Sequence, residues 1–148
     1  MPPKSPLPPR HGLQAAWVRT PDRGAPAPWA TMREFLLDKL GPGRDCVDPM
    51  LARGGFVDEH GAPWRGDEPY RPNAFVWFHR ELRPEAEVPG ALEVLHRDER
   101  VVVFDKPHFL STIPRGRHVL QSAVVRGRAA TGLPELSAAH RLDRGTAG

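Results

Sequence analysis

Two stretches decide the fold of this 148-residue chain: Val101-Val102-Val103-Phe104-Asp105-Lys106-Pro107 and His140-Arg141-Leu142-Asp143-Arg144-Gly145-Thr146-Ala147-Gly148. The first is a continuous run of β-branched and aromatic residues, which predicts a buried strand that ends in a turn at Lys106 and Pro107. The second carries one carboxylate, Asp143, among basic and small residues. Each pattern alone also suits an ordinary strand exit or an ion pair in a loop, so only their combination is informative.

The residues around these stretches predict a mixed α and β structure. Residues 92–95 are a candidate strand, and the polar residues 96–100 predict the turn that follows it. Residues 118–128 predict a helix, because their apolar side chains fall on one face at helical spacing. The sequence therefore predicts a pair of strands and a helix ahead of the terminal stretch.

These motifs resemble those of the RluA-type RNA pseudouridine synthases, whose catalytic motif is roughly H-R-L-D-x-x-T-S-G and follows a strand ending in D-K-P. The resemblance covers residues 91–148 and extends loosely over 31–90. It implies an α+β fold, in which an incomplete pseudouridine synthase catalytic domain with a mixed, largely antiparallel sheet follows a small α/β RNA-binding-like domain. Ala147 stands where many members have Ser, a change that we expect to be tolerated because that residue is not the catalytic group.

The resemblance also implies roles for individual residues. Asp143 corresponds to the catalytic carboxylate, and Arg141 to the arginine that displaces the target base from the RNA stack, a step that costs a few kcal/mol. The residues that support the motif are His140, Leu142, Arg144, Thr146 and Gly148. The family converts uridine to pseudouridine, which replaces the C1′–N1 bond of the nucleoside by a C1′–C5 bond. Because this isomerisation involves neither redox chemistry nor hydrolysis, no cofactor is expected.

A run of basic residues without any acidic residue extends from Lys106 to Arg128. It contains Lys106, Arg115, Arg117, Arg126 and Arg128. Such a run predicts an anion-facing surface, and RNA, ribosomal or transfer in the wider family, is the partner that the resemblance implies. We expect Lys106, Arg115 and Arg117 to contact RNA. A turn lysine and a solvated arginine-rich loop remain the alternatives.

The first 88 residues predict a leader and a small domain. Residues 1–30 contain eight prolines and predict a disordered leader. Residues 31–88 resemble a small RNA-binding domain shared with a ribosomal small-subunit protein, and residues 89–148 would begin the catalytic domain. Residues 31–90, however, carry 8 basic and 11 acidic side chains. A packing or linker role is therefore as plausible as RNA binding for this segment.

Local signals place the elements of that small domain. Thr31 and Glu34 form a capping-box pattern at the start of a helix, which the Gly41-Pro42 pair should end. Asp48 and Pro49 predict a second helix that begins with Asp48 as its N-cap. Residues 75–78 predict a strand.

Composition excludes several classes of protein. No apolar run approaches the roughly 20 residues needed to span a bilayer, and no apolar segment marks a secretory signal. The seven histidines show no i,i+3 or i,i+4 pair and there is no C-x-x-C, so no metal site is predicted. The single cysteine, Cys46, fits a reducing cytoplasm. The four tryptophans could stack on bases, although packing is the more favoured role: Trp17, Trp29, Trp64 and Trp77.

The sequence thus predicts the N-terminal part of an RNA pseudouridine synthase. We expect a longer version to isomerise uridine in RNA through Asp143, and the 148-residue chain alone to be inactive. The alternatives are a non-catalytic RNA-binding or interaction module that keeps a relic of the motif, and a fragment without function.

Overall fold

The computed structural model describes residues 2–22, 24, 26–41 and 46–148, and these form two compact units. One unit takes in residues 2–8 and 14–81, and the other takes in residues 9–13 and 82–148. No helix in the described residues is long and apolar enough to cross a membrane.

The first unit contains a three-stranded antiparallel sheet and two helices. In chain order its elements are β1 (Ala16–Arg19), α1 (Met32–Lys39), α2 (Val47–Ala52), β2 (Phe56–Val57) and β3 (Phe75–Phe78). The strand order is β1-β3-β2. The main core contains residues from α1, α2, β2 and β3, and its fully buried members include Met32, Phe35, Leu36, Val47, Phe56 and Val76.

The cross-strand register decides which side chains share a face of this sheet. Trp17 pairs with Trp77, and Arg19 pairs with Phe75. Because side chains alternate along a strand, these four lie on one face, while Val76 and its alternating neighbours face the helices. The sheet is therefore aromatic on both faces, but only one face carries the main core.

Helix α1 begins as the sequence predicts. The Thr31 hydroxyl accepts the amide of Glu34 at 3.3 Å, and Glu34 Oε2 accepts the amide of Ala30 at 2.7 Å. The sequence also predicts that this helix stops at Gly41-Pro42. Helix α1 ends at Lys39, and Pro42 lies outside the described residues.

The predicted start of α2 is wrong. The helix begins at Val47 with Cys46 as its N-cap, so Asp48 lies inside the first turn. The Asp48 carboxylate instead accepts two hydrogen bonds from the Arg33 guanidinium, at 2.6 and 2.7 Å. This ion pair holds the pKa of Asp48 below its usual value.

The expectation of a disordered leader is also wrong for part of residues 1–30. Strand β1 lies there and pairs with β3, and the buried Thr20 beside it donates to the carbonyl of Arg71 at 2.6 Å. The partner strand is more than 50 residues away, so the proline-rich composition around β1 concealed it.

The second unit contains one β-hairpin and one helix. Strands β4 (Glu93–Arg97) and β5 (Val102–Asp105) pair antiparallel, and helix α3 (Ala123–Thr131) ends at Gly132 in the left-handed conformation. The turn predicted over 96–100 is shorter than expected, because Asp98 Oδ1 accepts the amides of Arg100 and Val101 and closes it.

Strand β5 is not the buried strand that its composition predicts. Val101 and Val103 are 51% and 46% exposed. Phe104 packs on the other side, where a Cβ added to Gly127 of α3 would lie 3.0 Å from its ring. Strand β5 packs against α3 through the face that carries Phe104, which explains its alternating exposure.

Helix α3 begins five residues later than predicted. The amides of Val119, Leu120 and Gln121 donate to the Glu85 carboxylate at 2.8 to 3.0 Å, which keeps these residues out of the helix. Burial alone would raise the pKa of Glu85, but the three amide donors bring it below its usual value.

Candidate active-site loop

The two stretches singled out in the sequence lie side by side in the second unit. Lys106 and Gly148 exchange a reciprocal pair of backbone hydrogen bonds, each 3.0 Å long. The His108 ring contacts the carbonyl of Gly145 through Nδ1 at 3.0 Å. The strand exit at Lys106 and the terminal motif are thus joined at the far end of that motif.

Phe109 holds the middle of the terminal motif. Its amide donates to the carbonyl of Arg144 at 2.7 Å, and its own carbonyl accepts from Arg144 Nε at 3.1 Å. Phe109 has a φ of 65°, a conformation that costs energy for a residue with a bulky side chain. The two bonds to Arg144 compensate for that strain and explain why the backbone turns here.

Thr112 holds the residue immediately before the candidate carboxylate. Its hydroxyl donates to the carbonyl of Leu142 at 2.8 Å and accepts the amide of Leu142 at 3.1 Å. Beyond it, the amide of Thr146 donates to the carbonyl of Asp143 at 3.0 Å and closes a turn. Asp143 therefore lies between two backbone anchors, one at Leu142 and one at Arg144.

Lys106 lies beneath this loop and is only 4% exposed. Its ammonium group donates to the carbonyls of Leu110 at 3.1 Å, Pro107 at 3.2 Å and Thr146. Burial lowers the pKa of Lys106. All three donors of the ammonium group are engaged by backbone carbonyls, so in this arrangement Lys106 does not face an RNA phosphate as expected.

The side chains of Arg141 and Asp143 are exposed. In the part of the chain that the structure describes, neither makes an ion pair or a side-chain hydrogen bond, so the local ion pair is not formed. His140 is exposed as well. Among the described residues, no group of three or more His, Cys, Asp or Glu side chains could hold a metal ion.

The basic run divides into two groups. Arg115 and Arg117 are exposed on a tight turn, which the backbones of Arg115 and His118 close with bonds of 2.8 and 3.0 Å. The guanidinium groups of Arg126 and Arg128 donate instead to backbone carbonyls. Only the first group has the exposure that an RNA contact needs.

The chain is similar to an uncharacterized RNA pseudouridine synthase of Synechocystis sp.. The two sequences are 39% identical over 80 residues, which make up 54% of this chain and 28% of the relative. The chain therefore spans less than a third of the length of that relative. No protein-family model matches the chain, and no solved structure matches it at a significant level.

Sequence reasoning missed the two residues that anchor the loop, Phe109 and Thr112. Neither carries a signal in the sequence, because each acts through a partner more than 29 residues away. Glu85, whose carboxylate accepts the amides of the residues that precede α3, was missed as well. The signal that was available, the D-K-P stretch, pointed to the right segment and not to these side chains.

Proposed function

We propose that this chain carries the catalytic-carboxylate segment of an RluA-type RNA pseudouridine synthase, with Asp143 as the catalytic residue. The observation that carries the proposal is the set of hydrogen bonds joining residues 106–112 to residues 142–148. Two motifs that are 33 residues apart in sequence thus form one structural unit around Asp143. The similarity to a protein named as an RNA pseudouridine synthase supports the same function.

The geometry suits a reaction that needs one aimed carboxylate. With the backbone anchored at Leu142 and Arg144, the Asp143 side chain projects from a short, restrained segment. Such restraint reduces the cost of orienting the carboxylate toward the sugar of the target uridine, as a nucleophile that attacks it or as a general base that takes a proton from it.

The neighbouring cations have different roles in this proposal. Arg141 is exposed two residues from Asp143, and its planar guanidinium could replace the flipped uridine in the stack. Arg115 and Arg117 would contact phosphates of the substrate, ribosomal or transfer RNA. For Lys106 we replace the expected RNA contact by a positioning role, because its ammonium group holds the carbonyl of Thr146.

Full activity should need more protein around Asp143 than this chain supplies. The carboxylate is exposed, whereas electrostatic catalysis is strongest in a site that excludes water. We therefore propose that the chain turns over uridine only when it is joined to the rest of a synthase domain. The small α/β domain over residues 31–88 would act as an accessory in that larger protein.

A chimera tests the catalytic proposal. Residues 91–148 of this chain would replace the corresponding segment of a full-length pseudouridine synthase, and tritium release from 5-tritiated RNA would be measured. We expect activity in the chimera and a loss of at least about 1,000-fold in its Asp143→Asn variant. The matched control is Glu135→Gln, an exposed acid outside the motif, which should retain activity. An active Asp143→Asn chimera would remove Asp143 from the mechanism.

The alternative, a non-catalytic RNA-binding module, is favoured by the exposure of Arg115 and Arg117. It predicts salt-dependent RNA binding that weakens in the Arg115→Gln/Arg117→Gln double variant and not in the Arg97→Gln/Arg100→Gln control. Binding of that kind without tritium release from the chimera would favour this alternative. Arg126 and Arg128 are unsuitable for the test, because their guanidinium groups hold backbone carbonyls.

A further inference from the structure

The sheet of the first unit has an aromatic face directed away from the main core. Of the four tryptophans, Trp64 and Trp77 are 5% and 4% exposed, and Trp29 packs against Phe35. Trp17 on β1 differs, because 43% of it is exposed. The packing role expected for the tryptophans therefore does not fully account for Trp17.

The rings around Trp17 form a continuous surface. Its ring centroid lies 5.5 Å from that of Phe75 and 6.4 Å from that of Trp77, with tilts of 57° and 50°. Leu7 and Phe75 pack with the small cluster that contains Trp77. Trp17 thus has aromatic support on its protein side and keeps a large surface open.

A cation is fixed beside these rings. The Arg19 guanidinium lies 5.8 Å from the centroid of Phe75, and its Nη2 donates to Asn73 Oδ1 at 3.0 Å. Within the described residues no carboxylate pairs with Arg19, so its charge is not neutralised by an ion pair. The buried indole N–H of Trp77 also has no acceptor there.

We propose that this face, which Trp17, Arg19 and Phe75 present above the buried Trp77, binds unpaired RNA nucleotides. An open indole offers a surface on which any base can stack, and an adjacent guanidinium can hold the phosphate that follows. A neutral apolar partner would leave Arg19 without a counter-charge, which favours a polyanion with flat bases. This site is separate from Asp143 and requires no catalysis.

The balance of charge makes stacking the main source of affinity. Residues 2–8 and 14–81, which make up this unit, carry 10 basic and 10 acidic side chains, so attraction of phosphates over the whole unit is weak. One phosphate contact from Arg19 should contribute about 0.7 to the slope of log affinity against log salt concentration for a single strand. The proposal therefore predicts a shallow salt dependence that becomes shallower when Arg19 is neutralised.

The test is the binding of a short fluorescein-labelled oligouridylate to the 148-residue chain, measured by fluorescence anisotropy. Trp17→Ala should weaken binding about fivefold or more, since the stacking of one base on an aromatic ring contributes about that factor or a larger one. Trp17→Phe should retain most of the affinity, because it keeps an aromatic ring. Arg19→Gln should weaken binding and reduce the salt slope.

A matched control variant distinguishes this face from other places where an arginine lies over a tryptophan. Arg71 also lies over a tryptophan, with its guanidinium 5.2 Å from the Trp64 ring, but Trp64 belongs to the main core. Arg71→Gln should therefore leave binding unchanged.

Equal binding by wild type, Trp17→Ala and Arg19→Gln would overturn the proposal. So would the absence of oligouridylate binding together with a dimer in analytical ultracentrifugation that Trp17→Ala dissociates, because the face would then bind a second copy of the chain. If Trp17→Phe unfolds at the same temperature as wild type, the comparison of their affinities measures binding and not folding.

Discussion

Lys106 shows at the scale of one residue how a charged side chain can serve structure. An ammonium group that leaves water needs three acceptors, and backbone carbonyls on both sides of the loop supply them. Because one of these carbonyls belongs to Thr146, the lysine connects the D-K-P stretch to the terminal motif. The charge contributes to the site through the backbone that it holds.

Replacing Lys106 by Met should loosen the terminal motif. Methionine keeps the apolar stem but leaves buried carbonyls without donors, at a cost of about 1 to 3 kcal/mol in the free energy of unfolding. Urea denaturation would measure that loss, and hydrogen exchange at the amides of Phe109 and Gly148 should become faster. Lys4→Met, at an exposed lysine, is the matched control. Unchanged exchange in Lys106→Met would refute the positioning role.

At the scale of elements, Glu85 determines where α3 begins. Its carboxylate accepts three successive amides, so the chain from Val119 to Gln121 forms a loop around the carboxylate before the helix starts at Ala123. The helical pattern of this segment was evident in the sequence, but its first residue was not. A local pattern cannot report a carboxylate that lies more than 30 residues earlier.

The ionised carboxylate of Glu85 should make the stability of the protein depend on pH. Its pKa is below the ordinary value of 4.5 in the folded protein, so the unfolded chain takes up the proton first as the pH falls. The stabilisation is complete above pH 4.5 and is lost as the pH falls through the folded pKa. Glu85→Gln should lower the free energy of unfolding by about 1 kcal/mol at pH 7. It should also make that free energy depend less on pH in the acid range.

Glu87→Gln provides the control for that measurement, because Glu87 is exposed two residues away. Denaturant unfolding at several pH values would compare the three proteins. If the free energy of unfolding falls with decreasing pH as steeply in Glu85→Gln as in wild type, Glu85 does not account for this pH dependence.

At the scale of the molecule, the N-terminal residues belong to both units. Residues 2–8 belong to the first unit, whereas residues 9–13 belong to the second, in which Gly12 packs on α3. Gly12 lies very close to helix α3. A Cβ added at Gly12 would be 2.7 Å from the carbonyl oxygen of Val125. The Gly12 carbonyl in turn accepts Arg128 Nη1 at 3.1 Å. Part of the segment that composition predicts as a leader therefore belongs to the folded structure.

Gly12→Ala should destabilise the second unit. The new methyl group would clash with backbone, and a φ of +73° disfavours any residue but glycine. Gly24→Ala is a close control, since Gly24 has the same φ but nothing within 4 Å of an added Cβ. Alanine at Gly24 should cost about 1 kcal/mol, and alanine at Gly12 should cost more, as measured by urea unfolding. Equal costs would mean that the contact with Val125 contributes nothing.

The sequence by itself determined the features that depend on neighbours in the chain. The cap of α1 at Thr31 and the turn ahead of β5 follow from local hydrogen bonding, and the strand at residues 75–78 follows from its aromatic and β-branched composition. The motif around Asp143 was also visible, because its residues are contiguous.

Only the tertiary structure decided the features that depend on distant partners. It paired β1 with β3, moved the start of α3 to Ala123, buried Lys106 beneath the terminal motif and left Trp17 open on its sheet. Each of these outcomes arises because a backbone or charged group must find a hydrogen-bond partner, or an apolar side chain a neighbour, dozens of residues away. Composition and spacing do not specify which distant partner that is.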